Sequence, residues 1–144
     1  MSRFGLLGIL LVLALTLTAC NTQTVDIPDD PPVVVSEDVS AAEAQTLITS
    51  NEGDSDFVIL DLRTAEEYGG GHIADAVNLD YYGATFSSQL DGLEKTKTYL
   101  IYCGVGGRSS NTKTAMQGFG FSTVYNLTGG ITEWQAQGYV VVID

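Results

Sequence analysis

Residues 99–111 read YLIYCGVGGRSSN. Cys103, three glycines (104, 106 and 107) and Arg108 fall within six positions of one another. A cysteine reacts as its thiolate, and a free thiol titrates near about 8.5, so chemistry near neutral pH needs positive potential around the sulfur. The stretch supplies it in two ways. Glycines at 104, 106 and 107 permit backbone angles that turn successive amides inward, forming a concave nest for an anion. A helix beginning near Arg108 would aim its unpaired N–H groups back at the loop, and Arg108 adds a permanent charge at the rim. The other reading of the same residues is a glycine-rich strand-to-helix turn that carries a chance cysteine.

Other reactive types are scarce. The chain has two cysteines and one histidine, too few for a structural zinc site with four N or S ligands. His72 lies in Gly-His-Ile, where its ring is expected to bond a local turn; a Cys-His hydrolase dyad is the sharper alternative. Ser109 and Ser110 read as the first residues of a helix, not as nucleophiles, and Trp134 reads as core.

The elements around the loop alternate. Val33–Val35 is a candidate first strand. Ser40 and Glu43 form a capping box that opens a helix over 41–49. Phe57–Leu60 is a short apolar run suited to a buried strand. Thr64 and Glu67 form a second capping box, for a short helix ending near Gly69–Gly71. Val77–Leu79 is a candidate strand, and 81–92 is ambiguous with some helical character. Tyr99–Tyr102 is a strand, Arg108–Gln117 a helix closed by Gly118, and Val124–Tyr125 a short strand. Ile131–Gln137 is a helix ended by Gly138, and 139–143 is extended. Strands alternating with helices predict an α/β fold with a mostly parallel sheet covered by helices on both faces. In such sheets, sites gather at the carboxyl ends of strands, where Cys103 lies.

The 144 residues suit one domain. The net charge of −12 is spread along the chain and argues against nucleic-acid binding, which needs clustered Lys and Arg. The first nineteen residues are a short basic start at Arg3 and an apolar run over Phe4–Leu17. That run is short for a membrane span and has the size of a signal-peptide core. Leu17-Thr18-Ala19-Cys20 resembles the lipobox of bacterial lipoproteins, which implies cleavage before Cys20 and lipid attached to it. An uncleaved anchor is the alternative; a Cys20–Cys103 disulfide is a weaker use of both residues. Cleavage removes Arg3 and leaves five basic against eighteen acidic residues, a charge of −13. Pro28, Pro31 and Pro32 stiffen residues 20–32 into a tether, leaving residues 33–144 as the domain. The expected location is the cell envelope, with the domain lipid-anchored and facing outside the cytoplasm.

Three separated stretches carry a resemblance. LDLRTAEEYGGGHIADAVNL (60–79), YCGVGGRSS (102–110) and LTGGITEWQAQGYVV (127–141) resemble, in this order, the three signatures of the rhodanese family, specifically its single-domain sulfurtransferases. The resemblance implies a five-stranded rhodanese-like sheet. It implies that Cys103 takes sulfane sulfur from a donor such as thiosulfate or polysulfide and passes it to a thiol or cyanide, with no cofactor and no metal. The loop residues Gly104, Val105, Gly106, Gly107 and Arg108 would cradle the outer sulfur. Asp61 would orient Arg108 with Arg63 nearby, or the two would only brace a turn. A persulfide carrier or binding module without turnover is the alternative, serving a protein acceptor that the sequence does not identify. Related phosphatases use the longer spacing Cys-x5-Arg; here it is Cys-x4-Arg, a smaller cradle that suits sulfur. Two departures stand out. Ala74-Asp75-Ala76 replaces the frequent Pro-Gly-Ala, and Gly104 replaces a bulkier or basic residue. With Gly104 and Val105, Arg108 is the only cation of the loop, which fits a thiosulfate dianion poorly.

Overall fold

Strand β4, Thr98–Tyr102, organises the molecule because its side chains alternate between two cores. Leu100 and Tyr102 point to one face, Tyr99 and Ile101 to the other, and Cys103 continues the second series. A computed structural model describes residues 34–143. The expected signal peptide over 1–19, Cys20 and the expected tether over 20–32 fall outside the described residues, as does Val33.

The other strands are β1 (Val35–Val39), β2 (Phe57–Asp61), β3 (Val77–Asn78) and β5 (Thr123–Leu127). They form one sheet in the order β1-β5-β4-β2-β3, with every pairing parallel. Between them lie α1 (Ala41–Ser50), α2 (Ala65–Gly69), α3 (Phe86–Asp91), α4 (Gly107–Gly118) and α5 (Gly130–Ala136). Ala41 and Ala44 of α1 pack with Ile131 and Trp134 of α5 over Ile59, Leu100 and Leu127. On the opposite face Leu90 of α3 and Met116 of α4 cover Leu60, Ile101 and Val124. The inner strands β2 and β4 are apolar on both sides because both sides are covered, as a parallel sheet requires.

Both capping boxes form: Ser40 with Glu43, and Thr64 with Glu67. The ambiguous segment 81–92 contains α3. The first strand runs over 35–39, not 33–35. Its residues Ser36, Glu37 and Asp38 hide it from a search for apolar runs. β1 is an edge strand, so pairing to β5 needs only its backbone, and Asp38 accepts from Lys113 of α4 and Asn126 of β5. Helix α4 also starts one residue before Arg108 and includes Gly118.

Candidate active site

The path from β4 to α4 turns within four residues, and two glycines allow it, one inside the turn and one at the start of α5. Gly106 has φ of 98°, and a Cβ there would lie 1.8 Å from the carbonyl oxygen of Thr128. Gly130 has φ of 57°, and a Cβ there would lie 2.4 Å from the oxygen of Cys103 and 2.6 Å from that of Gly104. This close approach lets the start of α5 hold the loop. Ile131 N–H donates to Cys103 O at 2.9 Å and Thr132 N–H to Gly104 O at 3.1 Å. The carbonyls of Cys103 and Gly104 are thereby engaged by α5, and the Gly106 amide is left facing the sulfur.

Cys103 is a free thiol and only 1% exposed. Its Sγ accepts from Gly106 N–H at 3.2 Å and from the Ser109 hydroxyl at 3.6 Å. Ser109 is itself fully buried, and its hydroxyl also reaches Gly106 O at 3.1 Å. Burial pushes the thiol up. Donation from the backbone and side chain of Ser109, and from the amides of Gly106 and Val105, outweighs it, so the thiol sits below its ordinary value. Ser109 lies in the first turn of α4 and Gly106 is its N-cap, where amides have no intrahelical acceptor, and Val105 comes just before. The nest expected from the glycine spacing is therefore built, and it closes over the sulfur instead of leaving it at the surface.

Arg108 does not meet Asp61. Its Nη1 and Nη2 donate to Oε2 and Oε1 of Glu67, both at 2.8 Å, in a two-pronged ion pair. The ring of Tyr82 lies 5.6 Å from the guanidinium carbon. Glu67 Oε2 also accepts from the backbone N–H of Thr64 at 2.9 Å, so the capping box of α2 fixes the carboxylate in place. The Arg108 guanidinium foremost, then the Thr64 amide, overcome the cost of burial and hold Glu67 down to about 2.

Asp61, fully buried, turns instead to Arg63. Its Oδ2 accepts from Nη2 at 2.6 Å, and its Oδ1 from Nε at 3.0 Å and from the Arg63 amide at 2.9 Å. Arg63 Nη2 continues to the carbonyl of Gly71 at 2.7 Å. Of the two readings of Asp61, orienting Arg108 or bracing the turn, its contacts are those of the brace: the residue two places along the chain takes its oxygens. Asp61 and Arg63 brace the turn after β2. His72 stacks on Tyr68 at 3.8 Å, and its Nδ1 lies 3.1 Å from the Tyr68 carbonyl oxygen, the local-turn role. Trp134 is core, its indole N–H donating to Val140 O at 3.0 Å.

Sequence reasoning missed Glu67 and Tyr82 as parts of the site. Glu67 was legible only as the third residue of a helix, a role it also fills. Two cavities, of about 300 and 350 Å³, lie elsewhere. One is lined by Ile48, Phe57 and Asp75 among others, the second by Val39, Leu47 and Tyr125 among others, and neither by a loop residue.

The family described as the rhodanese-like domain matches residues 40–137. A sulfurtransferase of Allochromatium vinosum is 28% identical over 104 residues, covering 72% of this chain and 95% of that protein. The thiosulfate sulfurtransferase GlpE of Coxiella burnetii is 33% identical over 98 residues, covering 68% of this chain and 86% of that protein. Among solved structures, a rhodanese-related protein from Thermoplasma volcanium superposes with a TM-score of 0.62 at 26% identity. The match covers 75% of this chain and 99% of that one.

Proposed function

We propose that this chain, which belongs to the rhodanese-like family, transfers sulfane sulfur through a persulfide on Cys103. The observation that carries this reading is the sulfur of Cys103 receiving the Gly106 amide and the Ser109 hydroxyl at the start of α4. The thiolate attacks the sulfane sulfur of a donor. A new S–S bond forms at Sγ, the donor's own S–S bond breaks, and its electron pair leaves with the rest of the donor, as sulfite in the case of thiosulfate. The outer sulfur then carries the negative charge and occupies the nest of amides. A thiolate or cyanide attacks that sulfur, and Cys103 departs again as thiolate. Each step is a displacement at sulfur, so the cycle needs no redox partner and ping-pong kinetics follow.

Thiosulfate and polysulfide are the donors proposed; thiols and cyanide are the acceptors. Incubation with either donor, followed by its removal, should raise the intact mass by one sulfur, about 32 Da, and cyanide should reverse the gain. The Cys103→Ser variant should fold and gain nothing. Mass gain in that variant would end the reading. Loading without repeated turnover toward any thiol or cyanide would make the protein a carrier of persulfide instead of an enzyme.

The setting of the domain is proposed from the sequence alone. Residues 1–19 act as a lipoprotein signal peptide, Cys20 carries lipid, residues 20–32 form a tether, and the domain from 33 onward faces outside the cytoplasm in the cell envelope. Cys20→Ser should release the protein from membranes; a variant still bound would favour an uncleaved anchor.

A further inference from the structure

The one cation of the active-site loop is already paired. Both terminal nitrogens of Arg108 are bonded to Glu67, whose side chain is 40% exposed, while that of Arg108 is 17% exposed. The carboxylate is the more solvent-facing partner, so an arriving donor meets it alongside the guanidinium. The pair is prearranged, because Thr64 N–H fixes the same Glu67 oxygen that Arg108 Nη1 reaches. The Tyr82 ring approaches the same guanidinium and is itself 70% exposed at the rim. Gly104 faces the pair as well: a Cβ there would lie 3.4 Å from Arg108 Nη2 and 4.0 Å from Glu67 Oε1. No other charged side chain is supplied by residues 103–107.

We propose that Glu67 is a specificity-determining residue that cancels the charge of Arg108 at the mouth of the loop and so selects against sulfane donors with doubly charged leaving groups. This rests on the sulfurtransferase reading above. Glu67 touches neither the sulfur nor the incoming donor's reacting atoms; it acts through Arg108 and through its own negative charge. Thiosulfate leaves as sulfite, which carries two negative charges. An alkyl thiosulfonate, RSO2S−, gives up its sulfane sulfur to the same thiolate and leaves as a sulfinate with one. The two reactions differ by one charge at the leaving group and break the same kind of bond. Sulfane donors with singly charged or uncharged leaving groups are the class this mouth fits, and Glu67 with Gly104 sets that preference.

The test measures kcat/KM for thiosulfate and for methanethiosulfonate, with cyanide as acceptor, on the full chain. Wild type should prefer methanethiosulfonate. Glu67→Gln retains an acceptor for the Thr64 amide, as Gln does in capping boxes. It should raise the thiosulfate value about tenfold and leave the other within about twofold, a change in discrimination that rim charges produce. Raising the salt concentration should shrink the difference between variants. Gly104→Lys, which offers Glu67 a second cation, should shift the ratio in the same direction. A ratio within about twofold of wild type in both variants, or an equal loss for both donors, would overturn the proposal while leaving the sulfurtransferase reading intact. Failure of both donors to add sulfur to wild-type Cys103 would overturn both.

Discussion

Cys103 gains its acidity mainly from neutral donors around its sulfur, and the Arg108 guanidinium also favours the thiolate. Burial opposes ionisation, and the Ser109 backbone and hydroxyl with the amides of Gly106 and Val105 overcome it. The rate of sulfur loading should therefore rise with pH to a midpoint below that of an ordinary thiol. Ser109→Ala removes one donor and should move that midpoint upward by about one unit. An unmoved midpoint would mean that the hydroxyl, which can also donate to Gly106 O, spends its proton there. Asp61 belongs to the same scale but not to the chemistry. Asp61→Asn would leave the buried Arg63 charge without its counterion and should cost about 3–5 kcal/mol in urea unfolding. Loading per folded molecule should stay unchanged, because Arg108 is held by Glu67 instead; loss of loading in the folded variant would return Asp61 to the active site.

Among the elements, the connection from α2 to β3 shows how a departure from the family's sequence is absorbed. Asp75 stands where glycine is frequent and has φ of 62°, the only positive value at a non-glycine among the described residues. Asp tolerates this conformation better than most residues, yet it still bears the Cβ strain that glycine avoids. Asp75 is exposed, so Asp75→Gly should stabilise the protein by about 1 kcal/mol, read from the urea midpoint at unchanged slope, with sulfur transfer unaffected. A destabilised variant would show that the aspartate makes a contact worth more than the strain. The active-site loop depends on the opposite case. At Gly106 and Gly130 a Cβ would strike backbone oxygens, so the turn can form only with glycine there.

For the whole molecule, charge is the property with the widest reach. The chain carries −12, and its loop cation is neutralised by Glu67, so nothing at the mouth offsets the repulsion of a dianion. Glu67 is held down to about 2, which makes the pair a source of acid sensitivity. A depressed carboxylate contributes stability that is present above its ordinary range and lost as pH falls through the folded value. The stability difference between wild type and Glu67→Gln should thus be steady above about pH 5 and should vanish as pH falls from about 4.5 toward about 2. Since Glu67 is 40% exposed, solvent screening keeps this difference small, and denaturation midpoints across that window would measure it. A difference that persists at pH 2 would mean that the pairing is held by packing and not by charge.

Local pattern determined much of this protein. The capping boxes at Ser40 and Thr64, the apolar runs of β2 and β4, and the glycines around Cys103 are signals between near neighbours in the chain, so they are legible without the fold. The position of Cys103 past the end of a strand, ahead of a helix, follows from them. Tertiary structure decided what lies between distant residues. It joined Glu67 to Arg108 across 41 positions and left Asp61 to Arg63. It brought Gly130 against the loop and closed the loop over Cys103, which is 1% exposed. The polar edge strand β1 likewise became visible only through its pairing with β5. Side-chain type fixes which partners a charge can accept, but only the packed chain fixes which of them is within reach.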